Sequence, residues 1–258
     1  MSGATPDPGR PQTRAEWAED RLRRAIIVGD FAPDQRILVE QLAAEWQLSA
    51  TPLREALRTL AGEGLIVLDA QRGARVASVS IDEMTEVYEL RLAVEPLALR
   101  LSIEADEPGW RERLGAAWKA LDAAHRTRQR SPFDLEPAHT DFHFALVSGC
   151  GSETMLRLTS LLATQALRFR TLVAPRRPGG NRQSRAEHLR LYELATSGQV
   201  DEATSFLAMH ISWPLATVIE ADAGARASRR LAELRPDLVV EGLAELGIGP
   251  ARRPLAGR

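Results

Sequence analysis

The chain has 258 residues, enough for one large domain or two modest ones, and its 44% hydrophobic and 26% charged residues are ordinary for a globular protein. A net charge of −2 argues against a basic tail that coats nucleic acid, but it leaves room for a local basic face. No uncharged apolar run approaches the length of about eighteen residues that predicts a membrane span, and the N-terminus lacks the apolar core of a secretory signal. The lone Cys150 can form no internal disulfide, which fits a protein of the reducing cytoplasm.

Residues 1–13 are rich in proline, glycine and small polar residues and predict a disordered leader. Three short helices follow, each with apolar residues on one face. We expect Thr51 to cap the third helix, with Pro52 at its first position. The residues expected on the buried faces are Ala18, Leu22, Ala25 and Ile26 in the first helix, Val39, Leu42, Ala43 and Trp46 in the second, and Leu53, Ala56, Leu57 and Leu60 in the third.

Two short apolar runs, Leu65–Leu68 and Ala74–Val79, lie on either side of a turn that contains Gly73. Such a pattern predicts a β-hairpin. Three helices and a hairpin within residues 14–79 describe a winged helix-turn-helix, a DNA-binding domain.

From a capping box at Ser80 and Glu83 onward, the periodicity is helical only. The predicted helices span residues 82–105, 107–128, 132–149, 153–173, 182–197 and 200–222, and Pro96 should kink the first. The fold class is therefore mainly α, a winged domain followed by an all-helical bundle of six to seven helices at 80–222. Residues 223–258 carry seven arginines against four acidic residues and predict a basic extension, partly helical or disordered.

The second helix of a helix-turn-helix lies in the major groove, where arginine can bind guanine or phosphate. If the apolar face is buried, Arg54, Glu55, Arg58 and Thr59 face outward. Residues 1–80 carry ten arginines and eleven carboxylates, so DNA binding requires the arginines to cluster. The alternative is a solvated, salt-bridged surface. The candidate DNA-binding residues are Arg36, Ser49, Thr51, Arg54, Arg58, Arg72 and Gly73.

The winged region carries a series of residues that together form a specific pattern: Leu22-Arg23, Gly29 and Pro33, then Leu48-Ser49-x-Thr51-Pro52-x-Arg54-Glu55-Ala56-Leu57, then Glu63-Gly64-Leu65 and Arg72-Gly73-x-x-Val76. In these residues it resembles the GntR family of bacterial transcription regulators. The resemblance covers about residues 14–79. Two positions depart from the usual pattern: Asp34 replaces a common glycine, and Ala50 replaces an arginine that helps many members read the operator.

All five histidines lie in the helical region. His139 and His143 are four residues apart and share one helix face, a spacing that suits two imidazoles on one metal. His188 and His210 lie on two other predicted helices. Spacing alone is a weak argument, since a helical histidine is more often a polar or core residue. We expect His125 to lie at the surface near the end of its helix.

The helical region contains the motifs Glu89-x-Arg91-x-x-x-Glu95, Phe142-His143-x-x-Leu146, Glu187-His188, Gly198 with Ala203, and Met209-His210. In these motifs it resembles the FadR-type ligand-binding domain called FCD, over about residues 82–222. The resemblance implies a divalent metal held by His143, His188, His210 and a carboxylate, but His139 occupies the carboxylate position. Four imidazoles favour zinc, with nickel or copper possible, over manganese. Alternatively, His139 does not ligate and three histidines leave open positions for water or an effector carboxylate. Asp141 should point elsewhere.

The resemblance also implies that Arg91 faces the effector pocket and anchors a carboxylate, with Arg168 as a weaker candidate. The alternative for Arg91 is an ion pair with Glu95 or Glu187. Together these features predict a homodimeric transcriptional repressor that binds a palindromic DNA operator and responds to a small organic acid held near the metal. A metal-dependent enzyme is the competing hypothesis, but the sequence lacks His-Glu-x-x-His and Gly-x-Ser-x-Gly motifs.

Overall fold

The computed structural model describes residues 13–127, 134–169 and 180–221. The predicted leader lies almost wholly outside these ranges, and the basic extension at 223–258 lies wholly outside them. The described residues form nine helices and one small sheet. The mainly helical fold class predicted from the sequence is confirmed.

The N-terminal part contains three helices and three strands: α1 (Arg14–Val28), β1 (Arg36–Ile37), α2 (Val39–Trp46), α3 (Ala50–Gly62), β2 (Ile66–Asp69) and β3 (Gly73–Val76). A capping box joins Thr13 and Glu16 at the start of α1. The apolar faces of these helices meet in one core that also receives Ile37, Leu65, Ile66 and Val76.

One local prediction in this part is wrong and one is incomplete. Thr51 is not the cap of α3, because the helix begins at Ala50 and Ser49 occupies the N-cap position. The predicted hairpin is confirmed by the antiparallel pairing of β2 with β3, and β1 adds a third strand, so the sheet order is β1-β3-β2. Strand β1 is only two residues long, too short to show the alternation that identifies a strand.

The C-terminal part consists of α4 (Ile81–Ala105), α5 (Trp110–Arg126), α6 (Glu136–Val147), α7 (Glu153–Leu167), α8 (Gly180–Thr196) and α9 (Val200–Ala221). Helix α5 starts three residues later than predicted, because Gly109 adopts a positive φ of 83° as its N-cap. Among the described residues, no helix is both long enough and apolar enough to cross a membrane.

Helix packing places α6, α8 and α9 around a common interior. Helix α5 lies between α6 and α8, and α9 packs along α4 and also contacts α8. The indole Nε1 of Trp110 donates to the buried carbonyl of Ala145 at 2.9 Å and thereby joins α5 to α6. Trp118 on α5 contacts Phe142 of α6 and stacks on Tyr192 of α8. This aromatic layer fixes α6 and α8, two of the three helices that contribute histidines to the interior.

Candidate metal centre and DNA-binding surface

Four histidines from three helices meet inside the helical part. His139 and His143 come from α6, His188 from α8 and His210 from α9, and one ring nitrogen of each lies within 4.8 Å of those of the other three. His188 is fully buried and His210 is 9% exposed. The helical spacing at residues 139 and 143 puts two rings on one face, and the packing of α8 and α9 supplies the others.

The tautomer of His188 is set by its own helix. Its Nδ1 lies 2.6 Å from the carbonyl oxygen of Ser184, which can only accept, so Nδ1 carries the proton and Nε2 keeps its lone pair. That Nε2 lies 3.3 Å from Nε2 of His143. Two nitrogens on a tetrahedral zinc ion are separated by about 3.3–3.4 Å, given zinc–nitrogen bonds of about 2.0–2.1 Å. The two rings therefore have the spacing of neighbouring ligands.

His210 is oriented by a buried carboxylate that sequence reasoning did not assign. Its Nδ1 donates to Oε2 of Glu187 at 2.9 Å, and the side-chain amide of Gln183 donates to Oε1 at 3.1 Å. A carboxylate behind a ligating histidine fixes the ring and raises its basicity. The sequence signal was present, since Glu187 directly precedes His188, but only the packing of α9 on α8 shows which ring it supports.

His139 lies one helical turn before His143 on α6. Its ring lies 4.5 Å from that of His143, centroid to centroid, and its Nδ1 lies 3.7 Å from a carboxylate oxygen of Glu136. The 4.8 Å spread of the four nitrogens exceeds the separation in a tetrahedral zinc site. A four-ligand site would therefore draw the rings closer, whereas three ligands would leave a position for water or an effector. The donor set fits zinc, nickel or copper, which accept imidazole.

The expectation for His125 is wrong. This residue is only 6% exposed, and its ring lies 5.8 Å from that of His188, centroid to centroid. It therefore borders the four-histidine cluster, because α5 packs against α8 and turns the last residues of its inner face towards it. Asp141 is exposed and does not belong to the group of possible ligands, as its helix position predicts.

Arg91 is held in an ion pair one turn along α4. Its Nε donates to Oε1 of Glu95 at 2.6 Å, and both side chains are buried, at 12% and 6% exposure. Burial acts to lower the pKa of Arg91, but the Glu95 carboxylate overcomes it and the pKa is raised. This pair is the alternative that the sequence left open, so an effector would have to compete with Glu95 for the guanidinium.

Arg168 lies at the junction between the two parts of the chain. Its Nη2 donates to Oε1 of Glu83 at 2.6 Å and its Nη1 to the carbonyl of Ser78 at 3.2 Å. Ser80 caps α4 by accepting the N–H of Glu83, while the carboxylate of Glu83 binds Arg168. These contacts favour a role in joining the domains, and they give no support to the expectation that Arg168 binds an effector.

The outer face of α3 has the predicted orientation. Leu53 is buried, whereas Arg54 and Arg58 are exposed. Ser49 and Thr51 are exposed at the start of the helix. Arg54 pairs with Glu40 of α2 at 2.7 Å, but both side chains are more than half exposed, and such surface pairs contribute little.

The wing places two further arginines together. Nη2 of Arg36 donates to the carbonyl of Arg72 at 2.6 Å, and Gly73 follows with a positive φ of 80°. Asp69 accepts the backbone N–H groups of Gln71 and Arg72, which lowers its pKa and orders the turn. The wing tip thus presents basic side chains from β1 and from the turn between β2 and β3.

The departure at Asp34 has a structural explanation. This residue has φ +64°, in the left-handed region that favours glycine, and aspartate is among the side chains that tolerate it. Its carboxylate pairs with Arg75 of β3. The position therefore keeps the backbone turn that a glycine would make.

Comparison with known proteins gives two family matches that divide the chain in the same way. Residues 14–76 match the family described as bacterial regulatory proteins, gntR family, and residues 86–212 match the FCD domain. The HTH-type transcriptional regulator BphR of Paraburkholderia xenovorans is 34% identical over 77% of this chain and 82% of its own length. The HTH-type transcriptional repressor GlaR of Escherichia coli is 33% identical over 58% of this chain and 69% of its own.

Solved structures show the same fold. A GntR regulator of Rhodococcus sp. RHA1 aligns with 81% of this chain and 99% of its own at a TM-score of 0.64 and 21% identity. McbR/YncC of Escherichia coli aligns with 82% of this chain and 99% of its own at a TM-score of 0.65 and 16% identity. The gntR family and the two curated relatives are named as transcriptional regulators, so the chain is assigned to the regulators and the hypothesis of a metal-dependent enzyme falls away.

Proposed function

Because this chain belongs to the GntR family of bacterial transcriptional regulators and carries an FCD domain, we propose that it is a repressor that binds a palindromic operator as a homodimer and releases it when a small organic acid binds. The observation that carries the proposal is the four-histidine cluster between the helices of the helical domain, in a chain with an exposed, arginine-bearing recognition helix. The domain architecture also supports placement in the FadR subfamily.

The DNA-binding half of the proposal rests on exposure and charge. Arg54 and Arg58 project from the outer face of α3, and the wing tip adds Arg36, Arg72 and the backbone of Gly73. Ser49 and Thr51 lie where hydroxyl groups at the start of a recognition helix contact phosphate. Arg54 gives up only an exposed ion pair when it turns to a base, so little free energy opposes the contact.

The effector half rests on the donor chemistry. His143, His188 and His210 would hold the metal, with His139 as a fourth ligand or as a neighbour of an open position. A metal at this position supplies positive charge in a buried site, where a carboxylate binds strongly. Ser184 and Glu187 keep two of the imidazoles in the tautomer that presents Nε2. His139 contributes a neutral imidazole where the resemblance implies a carboxylate. The full positive charge of the metal is therefore left to attract an acid.

The homodimer rests on the family and on an apolar stripe. Leu90 and Leu97 on α4 are 51% and 47% exposed, Ala93 lies between them on the same face, and Leu158 on the adjacent α7 is 36% exposed. A twofold dimer matches a palindromic operator because both have the same symmetry. The repressor assignment follows two relatives named as repressors, GlaR and the gluconate operon repressor of Bacillus licheniformis.

The test is selection of bound duplexes from a randomised pool, followed by fluorescence anisotropy of the selected operator with zinc-loaded protein. We expect a palindromic sequence, one dimer for each duplex, a steep loss of affinity with salt, and release by at least one small carboxylic acid. Leu90→Glu/Leu97→Glu should yield monomers with weakened operator binding. The proposal fails if no sequence is enriched, if monomers bind single half-sites, or if no acid changes the operator affinity.

A further inference from the structure

A basic cavity lies beside the histidine cluster. Its volume is about 550 Å³, and its lining includes His125 and Arg126 from α5 and Arg182 and Arg185 from α8. Neither the sequence motifs nor the proposed metal site accounts for three arginines converging on one depression. Their common surroundings indicate a function of their own.

The charge of this cavity is positive even after its ion pairs are counted. Asp122 accepts from Nε of Arg185 at 2.6 Å and pairs with Nη2 of Arg126 at 2.8 Å. One carboxylate therefore faces three guanidinium groups, an excess of two positive charges among these described side chains. An arginine fork binds a carboxylate or a phosphate through two parallel hydrogen bonds.

The cavity and the histidine cluster share structural elements. Arg185 is three residues before His188 on α8, close to one helical turn, so the two side chains lie on neighbouring parts of one face. His125 lines the cavity, and its ring is 5.8 Å from that of His188. His125 therefore adjoins both the cavity and the proposed metal ligands, which makes the arginines neighbours of the histidine cluster.

We propose that Arg126, Arg182 and Arg185 form a second acid-binding subsite, so that the effector is a small molecule with two anionic groups. This inference rests on the proposed function: one carboxylate binds at the histidine cluster, and the second group, a carboxylate or a phosphate, binds at the arginines. The subsite adds selectivity because a monocarboxylate of the same length leaves the three guanidinium groups without their ligand.

The test is isothermal titration calorimetry on the zinc-loaded, full-length protein. The ligands are succinate, glutarate, adipate and 3-phosphonopropionate, each compared with a monocarboxylate of equal chain length. The variants are Arg182→Gln and Arg185→Gln, and Arg190→Gln is the matched control, since Arg190 is exposed on the same helix and outside the cavity. Arg182 is exposed, so its substitution leaves the packing unchanged even if that of Arg185 does not.

We expect one ligand with two anionic groups to bind at least about tenfold tighter than its monocarboxylate partner. Either cavity variant should reduce that advantage to less than about twofold without changing the affinity for monocarboxylates, and Arg190→Gln should keep it. Equal affinity for both ligand classes in the unmodified protein would overturn the subsite and leave the proposed function standing. If no acid binds at all, the proposed effector site fails and the subsite fails with it.

Discussion

The two domains keep their functional side chains in opposite environments. In the winged domain the candidate residues are exposed, and the contacts of Arg54 and Arg36 are surface pairs that a ligand can displace. In the helical domain the candidate ligands are histidines that are buried or half-buried, and Ser184 and Glu187 fix two of their rings. A DNA-binding surface must meet a large, solvated partner, whereas a small-ligand site gains from exclusion of water.

This difference predicts that damage to one site leaves the other intact. The exposed arginines of α3 contribute little to the core beneath them, so their removal should affect binding alone. The histidines are part of a packed interior, so their removal should affect both metal affinity and stability. Variants of the two sites should therefore differ in whether they change stability as well as binding.

The largest expected effect is the loss of metal from His143→Ala/His188→Ala. Removing two of three or four ligands should reduce bound zinc from about one ion for each chain to none, measured by plasma emission spectrometry after dialysis. Asp141→Ala is the matched control, because Asp141 is exposed on the same helix as His143. Equal and negligible metal content in both variants and in the unmodified protein would show that these histidines do not form a metal site. Because His188 is fully buried, His143→Ala alone serves if the double variant does not fold.

Arg54→Ala should weaken specific operator binding by about tenfold to a hundredfold, the contribution of one good arginine–base contact. Metal content and dimerisation should not change, because Arg54 is exposed and lies in the other domain. Anisotropy titrations measure the affinity, and Lys119→Ala, which removes one exposed positive charge from α5, controls for net charge. If both variants bind alike, α3 does not read bases through Arg54.

The same contrast explains what the sequence could predict. The position of each residue around the helix axis is enough to predict that Leu53 is buried and Arg54 exposed. This succeeds because each helix buries one face and the three helices that form the core are close in sequence. The gathering of His139, His143, His188 and His210 did not follow from spacing. It required the resemblance to a known domain, because the packing of α8 and α9 is a long-range property.

Other features could not be predicted because the sequence carries no local signal for them. The burial of His125 depends on which face of α5 meets α8, and a histidine near a helix end gives no indication of that face. The role of Arg168 at the domain junction depends on Ser78 and Glu83, about ninety residues away. Strand β1 exists only because β3 pairs with it.

Glu187→Ala should reduce zinc affinity by about tenfold to a hundredfold, the usual effect of removing a carboxylate that supports a ligating histidine. The physical reason is that Nδ1 of His210 loses its acceptor, so the ring can adopt the wrong tautomer or rotate. Competition with a zinc-binding dye measures the affinity, and Glu193→Ala, a substitution further along α8, is the control. Unchanged zinc affinity would show that His210 is not a ligand or needs no support.

The smallest expected effect concerns the junction between the two domains. Arg168→Gln removes a guanidinium that is 4% exposed and that contacts Glu83 and Ser78. We expect the free energy of unfolding to fall by about 1–3 kcal/mol. The lower end of this range is favoured because Glu83 is 38% exposed. Operator affinity without effector should change less than about twofold. The acid that releases the unmodified protein from the operator should release this variant less completely, because the junction links the ligand-binding domain to the winged domain. Thermal unfolding and anisotropy measure the two effects. The control is Arg157→Gln, on the exposed face of α7, which ends directly before Arg168. Equal behaviour of the two variants would mean that Arg168 neither stabilises the junction nor transmits the effector's binding.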